Sequence, residues 1–217
     1  MIIIDISMGK KICLLFLLSG LCFIGCNDDE TIEDGPTVPE TLHEYVDLGL
    51  PSGTKWATCN VGANFPEEFG GYYAWGETNE KTYYSWDTYV YYGSKFSTGI
   101  SGTQYDVAHV KWGGNWHMPT RAQCKELCDY CSSIQTSMNG VSGVKVTGPN
   151  GNSIFLPVAG RRLGDEKGGV GLSGDYWSDS LYDGNDNQAY FLIVSYGSIE
   201  MGNGQRTYGG SVRPVCP

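Results

Sequence analysis

The second half of the chain is a series of short β-like segments separated by turn residues. The segments are VKVTG, NSIFLPVAG, DYWSDS, QAYFLIVSY and GGSVRPVCP, between residues 144 and 217. Short apolar or aromatic runs bounded by Gly, Asn and Asp are typical of antiparallel strands joined by tight turns. The 31 glycines and 15 tyrosines of the chain favour this arrangement over a helix bundle.

The first half adds three candidate strands and two candidate helices. The strands lie at residues 45–50, in TKWATCNV and in the aromatic segment GGYYAWGE. One helix is predicted over YDVAHVKW, residues 105–112, and the other over residues 121–131, where Thr120 and Gln123 have the spacing of a capping box. We therefore predict an α+β domain with two short helices early and an antiparallel sheet supplied by both ends of the chain.

The N-terminus has the features of an export signal. Lys10 and Lys11 precede ICLLFLLSGLCFIG, an apolar run of signal-peptide length that is short for a membrane-spanning helix. The run ends in FIGC, which resembles a bacterial lipobox. The sequence predicts a signal peptide over residues 1–25 and lipidation of Cys26, which would anchor the protein without spanning the membrane. An ordinary secretory signal with a coincidental cysteine is the alternative.

The start of translation is ambiguous, because Asp5 is unusual before such a run. Met1 and Met8 are both candidate initiators.

Residues 26–42 have the composition of a solvated tether, with five acids at positions 28–34 followed by Gly and Pro. We expect the folded domain to occupy residues 43–217. An acidic cluster after a lipidated cysteine resembles the signal that sends Bacteroidetes lipoproteins to the exterior face of the outer membrane, and a plain spacer is the alternative. The net charge of −10, without a Lys/Arg run in the body, argues against a nucleic-acid partner.

Six blocks of sequence carry a family resemblance. They are YVDLGLPSGTKWATCNVGA, GGYYAWGE, DVAHVKWGGNWHMPT, GNSIFLPVAG, DYWSDS and GGSVRPV, and they span residues 44–215. Their order resembles that of the Fibrobacter succinogenes major paralogous domain, a family abundant in surface lipoproteins of Bacteroidetes. The resemblance implies a C-type-lectin-like fold of two helices and looped antiparallel sheets, with the termini close together.

The cysteines of CKELCDYC have the C-x3-C-x2-C spacing of radical-SAM enzymes. In a helix, however, Cys124, Leu127, Cys128 and Cys131 share one face, which predicts a buried stripe. Cys124 and Cys131 would be about 10 Å apart along the axis, too far to hold one iron–sulfur cluster.

Export makes disulfides the stronger alternative for the cysteines. The family resemblance implies a Cys59–Cys131 bond. A second bond would join Cys216 to Cys124 or Cys128, and free thiols throughout remain an open alternative.

The segment DGNDN offers a candidate Ca²⁺ site. Asp183, Asn185 and Asn187 would supply oxygen ligands, but the glycine and glutamate of an EF-hand loop are missing, as are the signatures of calcium-dependent lectins. A solvated turn is the favoured interpretation, with no cofactor. The segment GVGLSG, residues 169–174, matches a dinucleotide fingerprint only by chance, because we predict a surface loop there, with RRLGDEK before it and the strand DYWSDS, not a helix, after it.

The best candidate ligand surface is aromatic. The loop YYSWDTYVYYG, residues 83–93, lacks periodicity, and exposed tyrosine is rigid, large and amphipathic. We expect ligand contacts from this loop and from residues 163–187. The candidate contact residues are Tyr84, Trp86, Tyr89, Trp177, Asp179, Asp183 and Asn185.

These features predict a non-catalytic binding or adhesion module for an extracellular glycan or protein. One alternative is a cysteine-dependent enzyme related to formylglycine-generating proteins, because HMPTRAQCKEL distantly resembles one of their helices. Its reactive thiol would be Cys124, Cys128, Cys131 or Cys216. A structural subunit of a surface assembly is the other alternative.

Overall fold

The computed structural model describes residues 43–96 and 99–217, which lie within one compact unit, Val38–Pro217. The predicted signal peptide 1–25, the lipidation site Cys26 and the tether 26–42 lie outside the described residues. Within the described ranges, no helix has the length and apolar character needed to cross a membrane.

Both predicted helices are confirmed. Helix α1, Val107–Trp112, begins after Asp106, whose carboxylate accepts hydrogen bonds from the backbone N–H groups of Ala108 and His109 at 2.8 and 3.1 Å. Helix α2, Arg121–Tyr130, begins at the predicted capping box. These side chains occupy backbone donors that the first turn of a helix leaves unpaired.

The cysteine stripe of α2 faces the core, as predicted. Cys124 and Leu127 are buried, and Cys128 and Cys131 pack partly buried against the same hydrophobic cluster. The helix ends because Cys131 has an extended backbone, with φ −102° and ψ 148°.

The two ends of the domain meet in one sheet, which confirms that part of the prediction. Strands β1, Tyr45–Asp47, and β2, Lys55–Ala57, pair with the C-terminal strand β11, Val215–Cys216, in the antiparallel order β1-β2-β11. Trp56 is opposite Val46 on one side and Val215 on the other, and its indole is buried in the core.

A second sheet has the order β3-β4-β5 and contains a strand that the sequence did not predict. The strands are β3, Ser132–Met138, β4, Val141–Thr147, and β5, Ser153–Pro157. Strand β3 is polar and largely exposed, so it shows no apolar alternation. The signal for it is Asn139–Gly140, whose φ values of 49° and 82° suit a two-residue hairpin turn.

The third sheet has the antiparallel order β10-β9-β8 and supplies much of the core. Its strands are β8, Ser173–Tyr182, β9, Asn185–Ser195, and β10, Ser198–Gln205. A small hairpin, β6, Arg161–Leu163, with β7, Glu166–Gly168, stands in a segment expected to be loop. Together the two helices and the antiparallel sheets establish an α+β fold.

The segment GGYYAWGE is not a strand, contrary to the prediction. Only Tyr73 forms a bridge, exchanging backbone hydrogen bonds with Gly210 at 2.9 and 3.0 Å. Residues 72–75 are all buried, so this extended segment crosses the interior with no exposed face.

An aromatic cluster fixes the loop that follows this segment. Tyr84 donates its hydroxyl to the carbonyl of Tyr72 at 2.6 Å, and Tyr89 donates its hydroxyl to the carbonyl of Trp75 at 2.7 Å. Trp86 packs partly buried against the cluster and begins a short 3₁₀ helix, Trp86–Thr88. Because these phenol groups find backbone partners, the aromatic loop can be held in place without regular secondary structure.

The predicted disulfides are not present. Cys59, Cys124, Cys128, Cys131 and Cys216 are all free thiols. Cys131 packs at the end of α2 against the main hydrophobic cluster, whereas Cys59 lines a surface pocket beside Thr58 and His43. The tertiary packing therefore places the two cysteines of the expected pair in different surroundings.

Candidate functional site

Two adjoining clefts share Trp86 and form what we call the Trp86 groove. The first cleft has a volume of about 370 Å³ and is lined by residues 83–86 and 163–166 with Gln205 and Thr207. The second has a volume of about 380 Å³ and is lined by Trp86, Tyr92, Gly93 and Asn187. The groove thus brings the predicted loop 83–93 together with part of the predicted segment 163–187.

Backbone pairing holds the walls of the first cleft together. The N–H of Tyr84 donates to the carbonyl of Gly164 at 2.8 Å, and the N–H of Gly164 donates back at 2.9 Å. Gly164 has φ +61°, and it is the turn residue before Asp165 in the β6–β7 hairpin. A hairpin that the sequence did not predict therefore positions half of the site.

Aromatic rings mark the exposed part of the groove. The side chain of Tyr83 is 51% exposed and that of Tyr92 is 72% exposed, while Trp86 is half-buried between the two clefts. The ring centroids of Trp86 and Tyr92 are 5.8 Å apart with an interplanar angle of 67°. Such rings offer rigid apolar faces at a small cost in conformational entropy.

Polar groups accompany these rings. Asp165, Glu166 and Gln205 line the first cleft with carboxylate and amide groups, and Asn187 contributes an amide to the second. The Ser85 hydroxyl is buried and faces the backbone of Thr88 in a capping-box arrangement, so it is not accessible to a ligand.

A buried cation supports the aromatic loop from beneath. The guanidinium of Arg206 lies 5.3 Å from the ring centroid of Tyr89, 5.5 Å from Phe96 and 5.8 Å from Trp75. It also donates to the carbonyl of Ser94 at 3.4 Å. Attraction between the cation and the ring faces therefore holds the aromatic loop against Arg206, which directly follows strand β10.

Four of the seven predicted contact residues are buried, which corrects their assignment. Tyr84, Tyr89, Trp177 and Asp179 are 1%, 4%, 1% and 5% exposed. Trp177 donates its indole N–H to the carbonyl of Tyr73 at 2.8 Å and packs against Phe191, so it belongs to the core. Of the predicted set, Trp86 alone lines the groove with a partly exposed side chain.

Asp183 and Asn185 are exposed, but neither of them lines the groove. Asp183 forms a salt bridge with Arg121 at 2.5 Å and accepts a hydrogen bond from the Tyr190 hydroxyl at 3.0 Å. Asn185 accepts the N–H of Asn187 at 2.9 Å, as in a solvated turn. Across the described part of the chain, no group of three His, Cys, Asp or Glu side chains is arranged to hold a metal ion.

The site also contains residues that sequence reasoning did not select. Tyr83 and Tyr92 were inside the predicted loop, but nothing in the sequence distinguished exposed from buried tyrosines there. Gln205 is the last residue of β10 and Thr207 follows it, in a segment that no motif marks. Gln205 and Thr207 reach the site only because the fold brings their segment next to residues 83–86.

The buried carboxyl of Asp179 should make the free energy of unfolding depend on pH. Burial raises the pKa of its carboxyl above the ordinary value of 3.8, because the charged form loses hydration. The folded state therefore binds this proton more tightly than the unfolded chain, and the resulting stabilisation is present at acidic pH and lost as pH rises through the raised pKa. We expect Asp179→Asn to remove this contribution, measured as the slope of the unfolding free energy against pH between about pH 3 and 6.

Asp183→Asn is the matched control. Hydrogen bonds from Arg121 and Tyr190 lower the pKa of Asp183, so its contribution is lost as pH falls and its removal should change the slope in the opposite direction. Equal slopes for wild type and Asp179→Asn would contradict the prediction.

Burial disfavours the thiolate form of the cysteines named in the enzymatic alternative. Burial raises the pKa of Cys128 and of Cys131 to about 11, and it also raises the pKa values of Cys124 and Cys216. Reactive cysteines instead have lowered pKa values, in positively charged and accessible surroundings.

Two other pockets border residues that the structure does not describe. One, of about 490 Å³, has Phe96 and Gly99 in its wall, on either side of residues 97–98. The other, of about 460 Å³, includes His43, the first described residue, stacked on Trp112 with ring centroids 3.6 Å apart. The Trp86 groove is bounded by described residues throughout, so it is the better-defined candidate site.

Comparisons of this chain with models of protein families, with curated proteins and with solved structures find no match.

Proposed function

We propose that the domain is a non-catalytic module that binds an extracellular glycan in the Trp86 groove. The observation that carries this proposal is the position of Trp86, half-exposed between two clefts that also contain amide and carboxylate groups. A sugar ring has an apolar C–H face and a rim of hydroxyls. It can therefore stack on an aromatic ring while its hydroxyls bond to polar side chains.

The membrane anchor, the location and the family of the module are part of the same proposal. The FIGC leader supports lipidation at Cys26, and the acidic segment after it supports a location on the exterior face of the outer membrane. The α+β fold, the sheet shared by both ends and the six sequence blocks support a C-type-lectin-like member of the Fibrobacter succinogenes major paralogous domain family. A domain tethered in this way would present its loops to extracellular ligands.

A protein ligand is the second candidate, because exposed apolar side chains surround the groove. Tyr83, Leu163, Val90 and Tyr92 are between 51% and 73% exposed. A contiguous exposed apolar patch is a common sign of a protein interface. The glycan is preferred because the lining of the clefts combines these rings with carboxylate and amide groups.

A combined glycan and protein array tests the proposal. The purified full chain, probed in Ca²⁺ and again in EDTA, is expected to bind one or more glycans equally in both. The physical reason is that the clefts gain their polar contacts from side chains and require no bound ion. Binding to protein spots only would favour the second candidate, and no binding under either condition would contradict both.

A further inference from the structure

We infer that the Trp86 groove takes a linear, uncharged oligosaccharide that extends across both clefts, with Trp86 as the shared platform. This inference rests on the proposed function and deepens it. The groove consists of two open clefts of similar volume, about 370 and 380 Å³, in contact through one residue, so it offers room for two sugar residues, one on each side of Trp86.

The shared residue gives the groove its continuity. Trp86 lines both clefts, and Tyr92 meets it edge-on from the second cleft at a centroid distance of 5.8 Å. Tyr83 lines the first cleft, on the other side of Trp86, and its ring lies beside Gly164. Consecutive aromatic contacts on the two sides of Trp86 suit consecutive sugar rings of one chain.

The charge of the lining selects against acidic glycans. Asp165 and Glu166 line the first cleft, and no Lys or Arg lines either cleft among the residues described. The nearby cations Arg162 and Lys167 line neither cleft: Arg162 donates to the backbone carbonyl of Asp165 at 3.4 Å, and Lys167 lies 4.8 Å from the ring centroid of Tyr72. A uronate or sulfate in the first cleft would therefore meet two carboxylates in the lining, while the guanidinium of Arg162 is held by a backbone carbonyl.

Oligosaccharide ladders test the inference directly. Cello-, xylo-, malto- and manno-oligosaccharides, from the monosaccharide to the hexasaccharide, would be titrated into the full chain by calorimetry. For at least one ladder, we expect affinity to rise by about tenfold or more between the monosaccharide and the length that spans both clefts, and then to level off. A uronate ladder of equal length should bind at least about tenfold more weakly.

Variants on the two sides of Trp86 make the test specific. Tyr92→Ala should abolish the gain from lengthening, because Tyr92 lines the second cleft only. Tyr130→Ala is the control, since Tyr130 is a comparably exposed tyrosine at the end of α2 and lines neither cleft. It should behave as wild type.

The outcomes separate this inference from the proposed function. Glycan binding without dependence on chain length, or with uronates preferred, would overturn the inference and leave the proposed function intact. The same holds if the array detects a glycan but none of the four ladders binds at any length. Absence of binding to every ladder and every array glycan would overturn both.

Discussion

Replacing Arg213 with alanine is expected to lower the free energy of unfolding by about 3–5 kcal/mol. Arg213 is 1% exposed, and its guanidinium donates to neutral oxygens. Nε reaches the side-chain oxygen of Asn60 at 2.8 Å, and the two terminal nitrogens reach the carbonyls of Ala57, Thr58 and Phe155 at 2.9–3.1 Å.

The size of this effect follows from what Arg213 joins. Ala57 belongs to β2 and Phe155 to β5, so one side chain links the sheet of the chain ends to the second sheet. Alanine would leave a cavity and several buried carbonyl oxygens without donors, and each such group costs about 1–3 kcal/mol. The planar fork of the guanidinium is suited to several acceptors at once, whereas an ammonium is not, so Arg213→Lys should have an intermediate effect.

Urea unfolding followed by circular dichroism checks this prediction. Arg121→Ala is the matched control, because Arg121 is 46% exposed and pairs with the exposed Asp183, so its loss should cost less than about 1 kcal/mol. If Arg213→Ala does not fold at all, Arg213→Lys supplies the measurable value. An Arg213→Ala protein within about 1 kcal/mol of wild type would show that the buried network is not a main source of stability.

The second large expected effect is on binding. Trp86→Ala should weaken glycan affinity by about 30-fold or more, equivalent to about 2 kcal/mol, because Trp86 is the residue common to both clefts. Trp86→Phe keeps an aromatic face of smaller area and should recover part of the loss. Calorimetric titration with the glycan identified on the array measures both variants.

A second tryptophan provides the control for this result. Trp112 is also half-buried, but it stacks on His43 and lines a different pocket. Trp112→Ala should therefore leave glycan affinity within about twofold of wild type. If Trp112→Ala weakens binding and Trp86→Ala does not, the ligand lies in the pocket beside His43 instead. Thermal unfolding of both variants distinguishes lost contacts from lost structure.

Features encoded by neighbouring residues were predictable. The cap at Thr120, the period that buries Cys124 and Leu127, and both helices follow from residues within a few positions of one another. Apolar runs bounded by turn residues likewise predicted β4, β5, β8 and β9. The Asn139–Gly140 turn is also a signal for β3, although β3 itself is mostly polar and exposed.

The candidate site depended on tertiary structure. Tyr84 and Tyr92 lie in the same loop, yet one is buried and the other exposed, because only Tyr84 has the Tyr72 carbonyl as a partner for its hydroxyl and the Gly164 backbone as a neighbour. Those partners are distant in sequence, so no local pattern distinguishes the two tyrosines. The same reason explains why Trp177 and Asp179 are buried residues and not ligand contacts.

By itself, the sequence determined the α+β class, the helix boundaries to within two residues, and the aromatic loop as the candidate surface. Tertiary structure alone decided which aromatic rings of that loop face solvent, and it placed Gln205 and the β6–β7 hairpin beside Trp86. Helix caps and strand periodicity depend on interactions over a few residues. Burial and the shape of a groove instead depend on contacts between segments that are brought together only when the whole chain folds.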